Sequence, residues 1–169
     1  MSTNIAQVHV TGESYTCKST IGGGGDIHYK YRLNNNNHYV IESAAVSIYK
    51  KNIDTGSTIT ESTTMYAHKL NDFEESFVAG MILSDKFGGF GSEPANIFPQ
   101  SINIQQTIYN QYENRIKRCI QVSGDSSSVL LSWEFRYREL TNTRPYQIYY
   151  TANFQGDSKC RSTSMTFDN

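Results

Sequence analysis

Ile104, Ile108, Tyr112, Ile116 and Ile120 recur every four residues, with Tyr109 and Cys119 beside them. A four-residue repeat stacks side chains on one face of an α-helix, whereas a strand alternates faces every residue. The spacing predicts one long helix of about five turns, its apolar face turned to a core. Arg115, Lys117 and Arg118 fall near its end, where cations suit the helix dipole. Elsewhere the pattern is that of strands. His28 to Leu33 alternates polar with aromatic or apolar residues, and Val40-Ile41 with Ala44 to Tyr49 reads as a second strand region. Val129 to Tyr137, Tyr146 to Phe154 and Ser162 to Phe167 follow the helix, and Tyr66 to Leu70 reads as a short strand before it. Turn residues separate these runs: Gly22 to Gly25, Asn34 to Asn37, Asp54-Thr55-Gly56, Gly124-Asp125 and Gln155-Gly156-Asp157. Residues 71–101 show little period and read as a long loop. Strands, loop, one helix and strands again make an α+β fold around a mainly antiparallel sheet.

The 169 residues suffice for one domain with a real core. Twelve Tyr against three Pro lean the composition towards strand. A net charge of -1 excludes a strongly basic, nucleic-acid-coating chain, yet leaves room for a local basic groove. No run approaches the roughly 18 apolar residues of a membrane span, so no membrane partner is expected. Met1-Ser2-Thr3-Asn4 has neither a basic start nor an apolar run, so no signal peptide is read. Cys17, Cys119 and Cys160 have no metal-ligand spacing, and free thiols are expected, one disulfide with a spare thiol being the alternative. With no Asn-x-Ser/Thr acceptor, the balance favours a cytoplasmic chain over a secreted one. His28 and His38 flank turns as exposed polar residues. Gly22 to Gly25 lacks the Lys-Ser/Thr continuation of a phosphate-cradling loop.

The loop carries a denser pattern. Ala79-Gly80-Met81-Ile82-Leu83-Ser84-Asp85-Lys86-Phe87-Gly88-Gly89-Phe90-Gly91 is followed by Asn96-Ile97-Phe98-Pro99-Gln100. Together these segments resemble the DNA/RNA non-specific endonuclease family, the ββα-metal nucleases. The family pattern runs Asp-x-Gly-His, then Gly-Gly-x-Gly, then Asn-(Val/Ile)-x-Pro-Gln, then an Asn and a helix carrying Glu. Tyr109 and Glu113 stand on the predicted helix where the pattern has an aromatic and that Glu. Thr143-Arg144-Pro145, Tyr149-Tyr150 and Thr166 to Asn169 resemble the family's ending. The resemblance covers residues 15–169 and leaves 1–14 as a lead. It implies a ββα-metal-type motif, Mg²⁺ as the cofactor, and DNA or RNA as the partner.

The departures bear on the chemistry. Met81 stands where the family has its general-base His, with Val78 and Ala79 where its Asp is expected. Gln105 stands at the metal-binding Asn, while Asn96, Gln100 and Glu113 fit the pattern. Phosphodiester hydrolysis needs a base to take a proton from water and a cation to stabilise the developing charge. A thioether accepts no proton at any relevant pH, and losing a positioned base costs roughly 10²–10⁴-fold in rate. Gln105 keeps a carbonyl oxygen but shifts it by a methylene, and Mg²⁺ tolerates little departure from octahedral geometry. The implied function is a catalytically impaired pseudonuclease binding nucleic acid or a protein partner. The alternatives are an active nuclease with a shifted base, for which His68 is the candidate, and an assembly protein reusing the fold.

Overall fold

The computed structural model describes residues 9–11, 14–36, 38–72 and 75–169, the side chains of 9–11, 105 and 106 excepted. Seven strands form one antiparallel sheet: β1 (His9–Thr11), β2 (Ser14–Thr20), β3 (Asp26–Leu33), β4 (Tyr39–Ile48), β7 (Ser128–Arg136), β8 (Gln147–Gln155) and β9 (Thr163–Asp168). Neighbours in the sheet follow chain order except between β4 and β7, which pair directly, Ala44 opposite Trp133. Residues 49–127 leave the sheet at this point and return to it. That excursion holds helix α1 (Glu61–Leu70), the separate ribbon of β5 (Phe77–Met81) with β6 (Ile97–Ser101), and a helical run. The run comprises α2 (Ile102–Ile104), a π-helical stretch at Gln105–Tyr109, and α3 (Asn110–Val122).

Alternation along the strands explains the core. Val129, Leu131, Trp133 and Phe135 of β7 are buried, as are Ile148, Tyr150 and Ala152 of β8. They cluster with Tyr112, Ile116 and Ile120 of α3 and with Ile82, Leu83, Phe87 and Phe98 of the excursion. Each such side chain contributes about 1.5–3 kcal/mol by leaving water. The Trp133 indole N–H, 3.3 Å from the Tyr109 hydroxyl, keeps its polar atom paired inside that core.

Four expectations need correction. Tyr66 to Leu70 is not a strand but the second half of α1. Thr60 opens that helix: its hydroxyl accepts from the Thr63 N–H, and the Thr63 hydroxyl accepts from the Thr60 N–H. Thr63 and Ala67, one turn apart, are its buried face. Residues 71–101 are not one loop, for they contain β5, β6 and the 3₁₀ turns Asp85–Phe87 and Pro94–Asn96. The predicted helix is broken by the π stretch, and Ile108 is 56% exposed. The wider turn moves Tyr109 into the core instead, from where Tyr112, Ile116 and Ile120 continue at α-helical spacing. Finally, Cys119 and Cys160 form a disulfide and Cys17 alone is a free thiol. A seam joining α3 to the turn after β8 is not written in sequence spacing. The expected lead, 1–14, lies largely outside the described residues, though His9 to Thr11 pair with Ser14 to Thr16.

Candidate functional site

β5 and β6 are antiparallel, with Met81 opposite Ile97, Gly80 opposite Phe98 and Val78 opposite Gln100. The ribbon runs from β6 directly into the helical run, where the Ile102 N–H donates to the Ser76 carbonyl. Met81 and Gln100 therefore belong to the ribbon, Asn96 to the 3₁₀ turn that leads into β6, and Glu113 to α3. α1 packs on the ribbon, and Ala67, Ala79 and Ile97 form a small apolar cluster against which Met81, Ile59 and Tyr66 lie. His68 stands in the last turn of α1, half-buried, rather than on the strand expected for it.

Asn96 is buried and fully occupied. Its carbonyl accepts from the Leu83 N–H at 2.8 Å, and its amide donates to the Leu83 carbonyl at 2.9 Å and the Phe90 carbonyl at 3.4 Å. This side chain ties the loop between the two strands into a fixed shape, since each buried backbone group finds a partner through it. The Gly-Gly-x-Gly run completes that shape. Gly88 has φ +93°, and a Cβ on Gly89 would stand 1.8 Å from the Leu83 carbonyl oxygen. The same glycines bring the Gly56 and Ser57 backbone against the loop through Gly56 N–H to Asp85 O and Ser57 N–H to Gly89 O. Gln100 lies buried against Gly80, where a Cβ would meet its Oε1 at 2.4 Å. The motif thus builds a tightly crossed loop.

Glu113 is 3% exposed, and the Tyr150 hydroxyl donates to its Oε2 at 3.2 Å. Burial pushes its pKa from the usual carboxylate range up to about 7. Lys86 and the Tyr150 hydrogen bond pull it down in part, and Asp85 raises it. Lys86 also donates to the Asn110 side-chain Oδ1 at 3.1 Å, tying the Asp85–Phe87 turn to the start of α3. Glu113 therefore belongs with Tyr150 in the main core, while Met81 packs in the cluster under α1. The sequence placed both in one pattern; the fold assigns them different surroundings. Lys86, Asp85 and Tyr150 were missed as neighbours of Glu113. Lys86 and Asp85 sit inside the quoted motif, so their proximity had a local signal. Tyr150 comes from a strand 37 residues away and had none.

A hard divalent cation takes oxygen ligands, chiefly charged carboxylates and water. Among the described residues no group of three or more His, Cys, Asp or Glu is placed to hold a metal ion. The carboxylate that the pattern offers is Glu113, buried and held by Tyr150, and Met81 offers a soft thioether. The Gln105 side chain lies outside the described residues. Nor is any helix among the described residues long and apolar enough to cross a membrane.

No protein-family model and no curated protein sequence matches this chain. Its fold is similar to that of NucA from Streptococcus agalactiae. A crystal structure of NucA with no metal bound shares 11% identity and a TM-score of 0.60, over 97% of this chain and 83% of that one. The structure of NucA with a magnesium ion bound gives 12% and 0.59, over 99% and 85%. At such identity the likeness establishes a nuclease-like fold and nothing finer.

Proposed function

We propose that this chain is a catalytically impaired member of the DNA/RNA non-specific endonuclease type that retains nucleic-acid binding. The observation that carries it is Met81 at the end of β5, on a ribbon leading into a helix, its side chain partly buried against an apolar cluster. That ribbon and helix correspond to the ββα-metal-type motif, and Met81 to its general base. A thioether takes no proton from water, and Met81 is partly buried against the cluster of Ala67, Ala79 and Ile97. Asn96 and Gln100 keep the loop architecture, Glu113 serves as a buried hydrogen-bond acceptor, and Gln105 is the altered cation position. The fold shared with NucA and the intact loop support a retained scaffold, and the changed positions support lost chemistry.

Plasmid DNA and RNA are incubated with the purified chain in Mg²⁺ or Mn²⁺, beside the Met81→His, Gln105→Asn double variant. The native chain is expected to leave both substrates intact, and the double variant to recover cleavage. Degradation by the native chain at the rate of an active relative would overturn the reading, and the Glu113→Ala and His68→Ala variants would then locate the shifted base. Absence of any nucleic-acid binding would overturn its second half in favour of a protein partner.

A further inference from the structure

Away from the β5–β6 ribbon, a second concavity lies between α3 and the turn joining β8 to β9. Tyr112, Arg115 and Cys119 line one side and Phe154 and Arg161 the other, around a volume of about 190 Å³. Arg115 and Arg161 are both exposed. The ion pairs among the described residues are Lys18–Asp26, Lys30–Glu42, Lys50–Asp125, Lys117–Asp54 and Arg136–Glu134, so neither arginine has a carboxylate partner there. Arg115 rests on soft contacts, its guanidinium 6.0 Å from the Tyr112 ring centre and 3.8 Å from the Met165 sulfur. Two like charges on one small cleft repel each other unless an anion stands between them.

The disulfide explains why the two are together. Cys119 lies one helical turn after Arg115, and Cys160 directly precedes Arg161. The Lys159 N–H to Ser123 Oγ bond, 3.2 Å, fixes the same turn to the end of α3. Arg161 is thereby held opposite Arg115 by covalent and hydrogen bonds, not by an ion pair. Arg118 and Lys159, each next to a bridged cysteine and each exposed, continue the positive charge beyond the cleft. Phe154 is half-buried against the core and presents the rest of its ring to the cavity.

We infer that this cleft binds the backbone of a single-stranded nucleic acid, a phosphate between Arg115 and Arg161 and one base against Phe154. The inference rests on the nucleic-acid-binding reading above and gives it a location outside the altered motif. Guanidinium groups pair with phosphate through several N–H donors at once. A volume of about 190 Å³ is below the roughly 300–1,000 Å³ of pockets that enclose a whole small molecule, so it suits one planar group on an open strand. A duplex keeps its bases stacked inside and offers none to Phe154.

The test is fluorescence anisotropy with a labelled oligothymidylate of about 12 nucleotides, read at several salt concentrations on the full chain. Arg115→Ala with Arg161→Ala is expected to weaken binding at least tenfold and to flatten the log–log salt slope by about 0.7 or more. Phe154→Ala is expected to weaken it roughly fivefold or more, with the slope unchanged. Cys119→Ser with Cys160→Ser should reproduce the Arg161→Ala loss while circular dichroism stays native. Binding by the native chain that none of these variants alters overturns the site and leaves the nucleic-acid reading standing. No binding by the native chain overturns both. Displacement by inorganic phosphate, with duplex and single strand held equally, overturns the base contact.

Discussion

Glu113 is the residue on which the acid–base behaviour of this fold turns. Its pKa of about 7, against an ordinary value of 4.5, comes first from burial. Between those two pH values the folded chain holds a proton that the unfolded chain has released. Stability is therefore full below about 4.5, falls as pH rises through about 7, and is level above it. The fall is of order 3 kcal/mol, since each tenfold change in proton affinity is about 1.4 kcal/mol. Glu113→Gln keeps an acceptor for the Tyr150 hydroxyl but cannot ionise. Urea midpoints at pH 4.5 and 8 should converge in that variant while the native chain loses stability between them; an equal drop in both would remove Glu113 as the cause. The pattern also showed Asn96 and Gln100 from sequence, because the glycines and amides that cross a tight loop recur at fixed spacing. The partners of Asn96 were hidden: the Leu83 and Phe90 carbonyls are backbone groups, which no side-chain pattern names.

At the scale of elements, the helical run carries the clearest discrepancy between period and packing. The four-residue repeat gives Ile108 the same standing as Ile116, yet Ile108 is 56% exposed and Tyr109 4%. A π turn takes up one extra residue, so the stripe before it and the stripe after it are offset. Ile108→Lys should change stability by no more than about 0.5 kcal/mol, the range for an open surface site. Tyr109→Ala should cost about 3–5 kcal/mol, as for a buried aromatic, and also leave the Trp133 N–H without its partner. Thermal or chemical unfolding of the pair decides the matter, and the reverse ranking would restore an uninterrupted helix. α1 shows a different limit. Its apolar content is slight, and what made it a helix is a two-threonine cap with a seat against β5 and β6.

The whole molecule is a seven-stranded sheet with one long excursion between β4 and β7, and a disulfide across 41 residues ties that excursion to the turn between β8 and β9. Such a link restricts the unfolded chain, and loop-closure entropy puts its contribution near 4 kcal/mol. Cys119→Ser with Cys160→Ser should lower the unfolding free energy by up to that amount, and a reductant should have no effect on the variant. A midpoint indifferent to reduction in the native chain would show that the bridge is not formed. Disulfides persist in oxidising surroundings, which sets this bond against the cytoplasmic expectation drawn from the missing glycosylation acceptor.

By itself the sequence determined the α+β class, most strands of the large sheet, and the apolar helical face from Tyr112 to Ile120. Those are carried by periodicity, turn residues and motif spacing, all of which act between neighbours along the chain. Tertiary structure decided that Glu113 faces Tyr150, that Met81 packs under α1, that Cys119 meets Cys160, and that Arg115 and Arg161 share a cleft. Each of these joins segments tens of residues apart, or an unannounced helix to a strand. Only the closing of the core fixes such distances, because it is burial, summed over the whole chain, that outweighs the entropy of bringing distant residues together.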